Sequence, residues 1–411
     1  MKKRGVHLSS GIVLTRIVAL AALLHPLFSA PGIAQEPASG KDWPKAAPSQ
    51  FAFNADKLAA FDADISGGKY GLVDSMLVLR CGTSVYDKTY AHDYGQIYGE
   101  RAKKEGPLNH DLHGPYNYFS TEYHPFYRGS DLHTMQSVSK TVTSITIGIA
   151  KTRNDFSVSL DTPIIKYFDA HKVANLDDRK KRITIRQLLT MTAGIEWHED
   201  VPYDDPKNSA DIMEGSHDWV EYAINQPMAS EPGTKWVYSS GATELLAHIF
   251  KKATGKNVDD YAAEHLFKPL GMRYFWKHTP TGLPDTEGGL YLSAHDVAKL
   301  GQLYLKGGMW EGKEIVSDSW IKDSVSGHMT AGDNWKYGYL WWLQSFGSAP
   351  DDVAWEARGF GGQQLIVVPA YDMVAVFTGW DILPPAADKP RLHDFLDRTL
   401  GTANRFFGCT E

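Results

Sequence analysis

The chain has 411 residues, which is enough for two or three domains of ordinary size. Hydrophobic residues make up 43% and charged residues 22% of it, a globular balance that excludes disordered, collagen-like and disulfide-scaffold proteins. The net charge is −7, and basic residues form no block beyond the N-terminus. We therefore expect no nucleic-acid partner.

The N-terminus has the pattern of an export signal. Basic residues at positions 2–4 precede an apolar stretch at 17–28 that is too short to span a bilayer as a helix. We predict a signal peptide over residues 1–34, a periplasmic or secreted product, and no stable membrane span after cleavage; the alternative is a retained N-terminal anchor. The sequence does not indicate an oligomeric state.

The chain has only two cysteines, Cys81 and Cys409. In an exported protein they could pair, and the alternative is two unpaired thiols. Two cysteines cannot form a tetrahedral zinc site alone. Five histidines between residues 92 and 133 have irregular spacing, without the His-x-x-x-His pattern of a helical metal site. We predict no metal and no cofactor.

The first elements in chain order are strands. Residues 35–50 are rich in Pro, Ala and Ser, which is typical of a linker. Two strand-like runs at 75–80 and 84–90 flank a Cys-Gly-Thr turn and predict a hairpin. Residues 91–133, rich in Gly, Tyr and His, predict a long loop.

Helical periodicity begins at Ser137, where Val138, Val142, Ile145 and Ile149 recur at spacings of four, three and four. Further helical patterns are separated by clusters of Gly, Pro and Asp. They cover residues 185–191, 219–224, 243–252, 258–266 and 294–305.

Strands return near the C-terminus, at 364–368 and 373–377, before a closing helix at 391–400. Strands at both ends with helices between them predict an α/β (α+β) fold, in which an antiparallel sheet flanked by helices is formed by the N- and C-terminal parts. We expect an α/β domain from 51–136 and 285–411, and an inserted, mainly helical domain at 137–284.

The sharpest chemical signal is Ser137-Val138-Ser139-Lys140 at the start of a helix. Residues three apart share a helix face, so the lysine amine can reach the serine hydroxyl. Activation requires a neutral amine, and we expect burial or a cationic neighbour to lower the pKa of Lys140. The helix N-terminus would also point free N–H groups at an oxyanion.

The pattern Ser-x-x-Lys occurs three times and is not specific alone. Ser66 and Lys69 lie in a glycine turn, and Ser319 and Lys322 open a helix on a solvated face. Context distinguishes the copy at Ser137, because two further motifs follow it in order.

These motifs are Tyr238-Ser239-Ser240, about 100 residues on, and Phe360-Gly361-Gly362 before a strand. With Ser137-x-x-Lys140 they resemble the three motifs of the serine β-lactamase and penicillin-binding-protein superfamily, in its class C β-lactamase branch. Flanking segments at 187–194, 269–272 and 288–293 resemble that branch as well. Together with the segment 197–200, the chain looks most like the 6-aminohexanoate-dimer hydrolase type of amidases and esterases.

The resemblance implies roles residue by residue. Ser137 would be the acylated nucleophile, Lys140 its base partner, and Tyr238 a second proton-transfer group. Ser240 would orient Lys140. The backbone N–H groups of Ser137 and Gln363 would form the oxyanion hole.

Phe360 departs from the usual third motif. Phe360, Gly361 and Gly362 would contact substrate, but a phenyl ring offers no charge or hydrogen bond to a substrate carboxylate, which Lys or His would supply. We therefore expect esters or amides that lack an essential carboxylate there, and little β-lactamase activity.

An acidic loop spans residues 195–218, with eight acidic residues against one lysine. If it borders the cleft, cationic substrates would be favoured. We hypothesise that Tyr203, Asp204 or Asp205 approaches a substrate amine; the alternative is a solvated loop.

The resemblance thus implies an exported serine hydrolase that cleaves small amide or ester substrates through an acyl-enzyme. Two alternatives stay open. One is a D-alanyl peptidase or weak β-lactamase, and the other is a non-catalytic sensor that binds cell-wall peptides or β-lactams.

Overall fold

A computed structural model describes residues 43–51, 53–346, 352–383 and 394–399, together with Met1 and Cys409. The predicted signal peptide and residues 35–42 of the predicted linker lie outside the described residues, apart from Met1. Within the part that is described, none of the helices combines the length and apolar character needed to cross a membrane.

The architecture is an antiparallel sheet with helices on both faces, so the predicted fold class is confirmed. The strands are β1 Val73–Arg80, β2 Thr83–Thr89, β3 His133–Thr134, β4 Tyr274–Trp276, β5 Leu290–Leu292, β6 Met309–Trp310, β7 Lys313–Glu314, β8 Met329–Thr330, β9 Trp335–Tyr337, β10 Trp342–Ser345, β11 Val353–Gly359, β12 Gln363–Val368 and β13 Met373–Gly379. The helices are α1 Ala55–Ser66, α2 Tyr94–Tyr98, α3 Val138–Thr152, α4 Asp178–Arg182, α5 Ile185–Leu189, α6 Ser209–Glu214, α7 Trp219–Asn225, α8 Ser240–Thr254, α9 Val258–Ala262, α10 Ala294–Leu305, α11 Asp318–Ser324 and α12 Asp394–Thr399.

The main sheet has eight strands in the order β2-β1-β13-β12-β11-β10-β9-β8. Strand β1 pairs with β13 from Val73 opposite Gly379 to Arg80 opposite Met373, so the N- and C-terminal parts join within one sheet, at the second and third of its eight strands. The smaller sheets are β3-β5-β4 and β6-β7. The division of the chain into two domains at residues 137 and 284 stays a prediction.

Alternation along the strands builds two hydrophobic cores, because successive side chains of a strand point to opposite faces. Leu77 and Leu79 of β1 pack into the core beneath α3 and α10. Met76 and Val78 pack into the opposite core with Phe61 of α1. The sheet is therefore buried on both faces.

Helix α3 runs through the larger core, and nearly all of it is buried. A helix in that position must satisfy its polar groups internally. Thr143 and Thr146 do so by donating to the carbonyl oxygens of Ser139 and Val142, at 3.0 and 2.8 Å. Lys140 lies on this buried helix, and its exposed fraction is 1%, so its amine is almost completely shielded from water.

Several elements differ from the sequence predictions. The segment predicted as a long loop contains α2 and two 3₁₀ turns, at Thr121–Tyr123 and Pro125–Arg128. Part of the predicted linker is attached to the sheet, because Pro44 accepts from Ser84 of β2 at 2.7 Å. Cys81 and Cys409 form a disulfide, which decides between the two alternatives left open for them.

The histidines of the segment 91–133 have separate partners. His110 contacts Asp211, and His133 contacts Asp74. Among the described residues, the grouping that could hold a metal is Cys81, Asp372 and Cys409. Its two sulfur atoms are already bonded to each other, so they are not free thiolate ligands.

His124 makes the stability of the fold depend on pH. Its side chain is buried, and its Nδ1 accepts from the Tyr291 hydroxyl at 3.1 Å. Burial, reinforced by the positive charge of Lys277, lowers the pKa of His124 from 6.5 to about 3. Below pH 6.5 the unfolded chain binds a proton at this position that the folded protein does not bind, so stability present at neutral pH is lost on acidification.

We predict that His124→Gln, which cannot titrate, weakens the dependence of the free energy of unfolding on pH between 6.5 and 4. The native histidine contributes a slope of up to about 1.4 kcal/mol per pH unit in this range. Urea unfolding at pH 7, 6, 5 and 4 measures it. The exposed His171→Gln is the control, and equal slopes in all three proteins would contradict the assignment.

Candidate active site

The candidate nucleophile lies at the N-terminus of α3. Ser137 is the N-cap residue, and the preceding Gln136 has a left-handed backbone with φ of +48°. This conformation is uncommon for a residue with a side chain, and such residues cluster at functional sites. The turn presents the half-buried Ser137 hydroxyl at the head of a helix, where N–H groups have no helical acceptor.

Lys140 is one helical turn from Ser137. Its Nζ donates to Ser137 Oγ at 2.9 Å and to the Glu287 carbonyl oxygen at 2.8 Å, and it lies 3.5 Å from Glu287 Oε2. Tyr238 completes the group, because Lys140 Nζ lies 5.3 Å from the centre of its ring. The structure thus brings together the three residues that the motifs single out.

The expected lowering of the Lys140 pKa is wrong. Burial does act to lower it, but the acidic groups around it, Tyr238 when ionised together with Glu287 and Glu199, outweigh burial, and the pKa lies above its ordinary value. Burial raises the pKa of Tyr238, against the effect of Lys140. The resting site therefore holds a lysine cation beside a neutral phenol, and the lysine must lose a proton before it can accept one.

The expected role of Ser240 is also corrected. Its hydroxyl donates to Glu199 Oε1 at 2.7 Å, and its backbone N–H donates to Glu199 Oε2 at 2.8 Å. Among the described residues, the hydrogen bonds of Lys140 go to Ser137 and Glu287, not to Ser240. The physical reason is that a carboxylate is a strong hydrogen-bond acceptor, so the Ser240 hydroxyl donates to Glu199 and does not turn toward Lys140.

Glu199 is the residue around which this side of the site is organised. Besides Ser240, its carboxylate accepts from the Tyr203 hydroxyl at 2.9 Å and from Trp197 Nε1 at 2.7 Å. All four donors are directed at two oxygens, so a single side chain links the second motif to the acidic loop. Glu199 lies in the Trp-His-Glu-Asp segment already singled out, but only the fold reveals its partners.

Tyr203 and Phe360 form one wall of the site. Their ring centres are 4.6 Å apart, and the charges of Tyr238 and Glu287 act on Tyr203. Of the other two residues expected at a substrate amine, Asp204 is exposed, and Asp205 accepts from the backbone N–H of Lys207 at 2.8 Å. The structure therefore places Tyr203, but not Asp204 or Asp205, against the third motif.

The third motif connects β11 to β12 by a tight turn. Gly361 and Gly362 have φ of +85° and +105°, values that favour glycine. A Cβ on Gly359 would lie 2.4 Å from the Met135 carbonyl oxygen, so the end of β11 approaches the backbone just before the nucleophile. The side-chain amide of Gln363 bonds to the carbonyl oxygens of Phe360 and Gly379, which holds the start of β12 in place.

Aromatic residues that sequence reasoning did not assign line the outer part of the site. Trp342 stacks on Tyr238 with ring centres 5.7 Å apart and contacts Trp236 at 5.3 Å. The guanidinium of Arg358 lies over the ring of Trp335 at 4.7 Å, and over Trp342 at 5.6 Å, rather than beside the third motif. This stacking orients Arg358 by cation–π contact.

A family model described as Beta-lactamase matches residues 74–391. The chain belongs to the Beta-lactamase family. A curated relative, the 6-aminohexanoate-dimer hydrolase of Paenarthrobacter ureafaciens, is 24% identical over 276 residues, which cover 62% of this chain and 67% of the relative.

Solved structures are similar in fold. A family VIII carboxylesterase has a TM-score of 0.59 at 16% identity, and the match covers 87% of this chain and 98% of that one. The D-stereospecific amidohydrolase from Streptomyces sp. has a TM-score of 0.55 at 16% identity, covering 80% and 94%. The chain therefore has a β-lactamase-like fold, and hydrolases are among its relatives.

We predict that Glu199→Gln lowers the free energy of unfolding by about 1–3 kcal/mol, the usual effect of leaving buried donors without an acceptor. The amide NH₂ of glutamine would face two donors wherever it points. Urea unfolding measures the change. The matched control is Glu196→Gln, three residues away and half exposed, where we expect about 0.5 kcal/mol or less; equal effects of the two variants would contradict the role of Glu199.

Proposed function

We propose that the protein is an exported serine hydrolase that cleaves small amide or ester substrates through an acyl-enzyme on Ser137. The observation that carries the proposal is the hydrogen bond of the Ser137 hydroxyl with a buried lysine, at 2.9 Å from Lys140 Nζ, which itself lies 5.3 Å from the centre of the Tyr238 ring. The family and its hydrolase members support the reaction class. The disulfide supports export, because disulfides persist in oxidising compartments.

In the proposed reaction, Ser137 Oγ attacks the substrate carbonyl carbon while its proton passes to Lys140 in its neutral form. The negative oxygen of the tetrahedral intermediate lies between the backbone N–H groups of Ser137 and Gln363. Tyr238 protonates the leaving amine or alcohol and later takes a proton from the water that hydrolyses the ester on Ser137. Lys140 returns its proton to Ser137 Oγ when that ester is hydrolysed, so each proton taken from a nucleophile is balanced by one delivered to a leaving group.

The wall of Tyr203 and Phe360 sets the substrate class. Two aromatic rings 4.6 Å apart favour an apolar group of the substrate beside the third motif. Arg358, whose guanidinium lies over Trp335 and Trp342, is held away from the position where a Lys or His of the usual motif would bind a carboxylate. The proposal therefore favours uncharged acyl groups over β-lactams and D-alanyl peptides.

We predict that Ser137→Ala abolishes hydrolysis of a short-chain nitrophenyl ester by the mature protein without unfolding it. The chain offers a matched control, because Ser319→Ala alters another Ser-x-x-Lys serine, which lies on the surface helix α11. Ester turnover by the wild type and by Ser319→Ala, lost only in Ser137→Ala, is the expected result. Turnover by Ser137→Ala would refute the nucleophile.

The same assay separates the alternatives. A cephalosporin and the linear aminohexanoate dimer are run beside the ester. A sensor would stop after at most one acylation per molecule, whereas a hydrolase turns over repeatedly. Rapid cleavage of the cephalosporin would instead favour the weak β-lactamase.

We predict that the wild type hydrolyses an ester faster than the same ester bearing a carboxylate on the acyl side, because no cation faces that group at Phe360. Phe360→Lys should reverse the preference, judged by the ratio of the two kcat/KM values. Phe168→Lys, far along the chain on a partly buried surface, should leave the ratio unchanged. A wild-type preference for the carboxylate substrate would contradict the argument.

A further inference from the structure

A cluster of buried acids lies directly behind Lys140. Glu287, Asp285 and Glu244 have exposed fractions of 4%, 0% and 0%, and the buried carboxyl oxygens of Glu214 join them. Lys140 and Lys277 are the buried cations among these groups. Four carboxyl groups against two cations cannot all be charged in a medium that solvates charge poorly, so protons must be held within the cluster.

Hydrogen bonding distinguishes the members. Glu244 Oε1 accepts from the Thr286 hydroxyl and from the backbone N–H groups of Thr286 and Glu287, at 2.8 to 3.1 Å. Asp285 accepts from the Gly288 N–H at 2.8 Å and lies 3.5 Å from Lys277 Nζ. These contacts fix the segment that presents Glu287 to Lys140.

The carboxyl groups of Glu214 and Glu287 are neighbours, since the charge of Glu287 acts on Glu214. Glu214 Oε2 and Glu287 Oε1 are both buried, and neither has a hydrogen-bond partner among the described residues. A proton shared by the two carboxyl groups satisfies them both. Burial and the charge of Glu287 raise the pKa of Glu214 well above its ordinary value, in agreement with a proton held there.

The other oxygen of Glu287 faces the reaction. Oε2 lies 3.5 Å from Lys140 Nζ, which in turn donates to the Ser137 hydroxyl at 2.9 Å. A continuous path therefore runs from the candidate nucleophile through the lysine to a carboxyl pair with capacity for a proton. Because the raised pKa of Lys140 keeps its amine protonated at rest, this path offers a place to which the lysine proton can move.

We propose that Glu287, paired with Glu214, accepts the proton of Lys140 and thereby generates the neutral amine that activates Ser137. The inference rests on the proposed function and deepens it. The N–H bond of the ammonium breaks as an O–H bond forms on Glu287, and the amine then takes the Ser137 proton. Once Lys140 has given the Ser137 proton back to Ser137 Oγ at the end of the cycle, the proton on Glu287 returns to Lys140, so nothing is gained or lost over a cycle.

Several titratable groups face Glu287 and shape its behaviour. Lys140 comes from α3, Glu214 from α6, Glu244 from α8, and Tyr238 from the residues before α8. The complete set is Lys140, Glu214, Glu244, Asp285, Tyr116, Tyr118, Tyr203 and Tyr238, with Lys277 beside Asp285. Among the described residues, Lys140 lies 3.5 Å from the Glu287 carboxyl and Glu214 is the neighbouring acid, so substitution of Glu287 and of Glu214 is diagnostic.

The test is the dependence of kcat/KM on pH for ester hydrolysis by the full mature protein. Glu287→Gln should lower kcat/KM by about 100-fold or more at pH 7, the usual contribution of a proton acceptor, and activity should recover as the pH rises and Lys140 loses its proton to solvent. Glu214→Gln should retain most of the activity and move the acidic limb to lower pH, because its amide donates to Glu287. The two variants thus shift the profile in opposite directions.

A purely structural role would lower activity by one factor at every pH in both variants, and this outcome would overturn the proposal. Glu287→Asp keeps the carboxylate and should restore part of the activity with a profile like that of the wild type. If Glu287→Gln fails to fold, the opposed comparison of Glu287→Asp with Glu214→Gln remains. Glu231→Gln, which removes a surface partner of Arg182, should not change the profile.

Infrared spectroscopy separates failure of this proposal from failure of the proposed function. The wild type at pH 7 should show the C=O stretch of a protonated, buried carboxylic acid, and Glu214→Gln should remove part of that band whether or not the protein turns over any ester. Turnover dependent on Ser137 with no such change would overturn the shared proton alone. The band change without turnover would support the carboxyl pair and refute the hydrolase.

Discussion

The burial of one ammonium group is the constraint on which the rest of the structure depends. Lys140 sits on a helix at the centre of the core, where an unpaired charge would be prohibitive. The fold supplies the Glu287 carbonyl and carboxylate from the segment before β5, and the Ser137 hydroxyl from its own helix. Two distant parts of the chain are thereby held in one arrangement by the need to solvate a cation.

The same constraint explains why the site has many more acids than the three motifs require. Each carboxylate that stabilises the lysine cation also lowers the fraction of the lysine that is present as the neutral amine, because it raises the pKa of Lys140. A protein that needs both a stable buried cation and a neutral amine must therefore hold a nearby group that can exchange a proton with it. Lys140 therefore links the acid cluster to the three motifs, because it contacts both Glu287 and Ser137.

Sequence reasoning predicted the parts of this protein whose signal is local. The α3 helix, the hairpin of β1 and β2 and the placement of α10 follow from periodicity and turn residues, and the order of three motifs identifies the family. Glu199 and Glu287 were missed because their partners are distant: Glu199 meets Ser240, and Glu287 meets Lys140, only through the tertiary fold. The one available signal for Glu287 was its position beside Asp285 just before the Gly288-Gly289 pair. The expected lowering of the lysine pKa was wrong for the same reason. The apolar pattern of a helix predicts that its lysine is buried, but it does not reveal the acidic groups that other elements place beside that lysine.

The pairing of β1 with β13 has a consequence for how the chain is made. Val73 lies opposite Gly379 in adjacent strands of the main sheet, so these two paired strands are separated by almost the entire fold in sequence. Contacts of such high sequence separation form slowly. Until β13 has been synthesised and docked, β1 presents an unsatisfied edge with Leu77 and Leu79 uncovered, and such edges template association with other chains. A truncated product ending before Met373 would accordingly be prone to aggregate, and its N-terminal half would depend on chaperones.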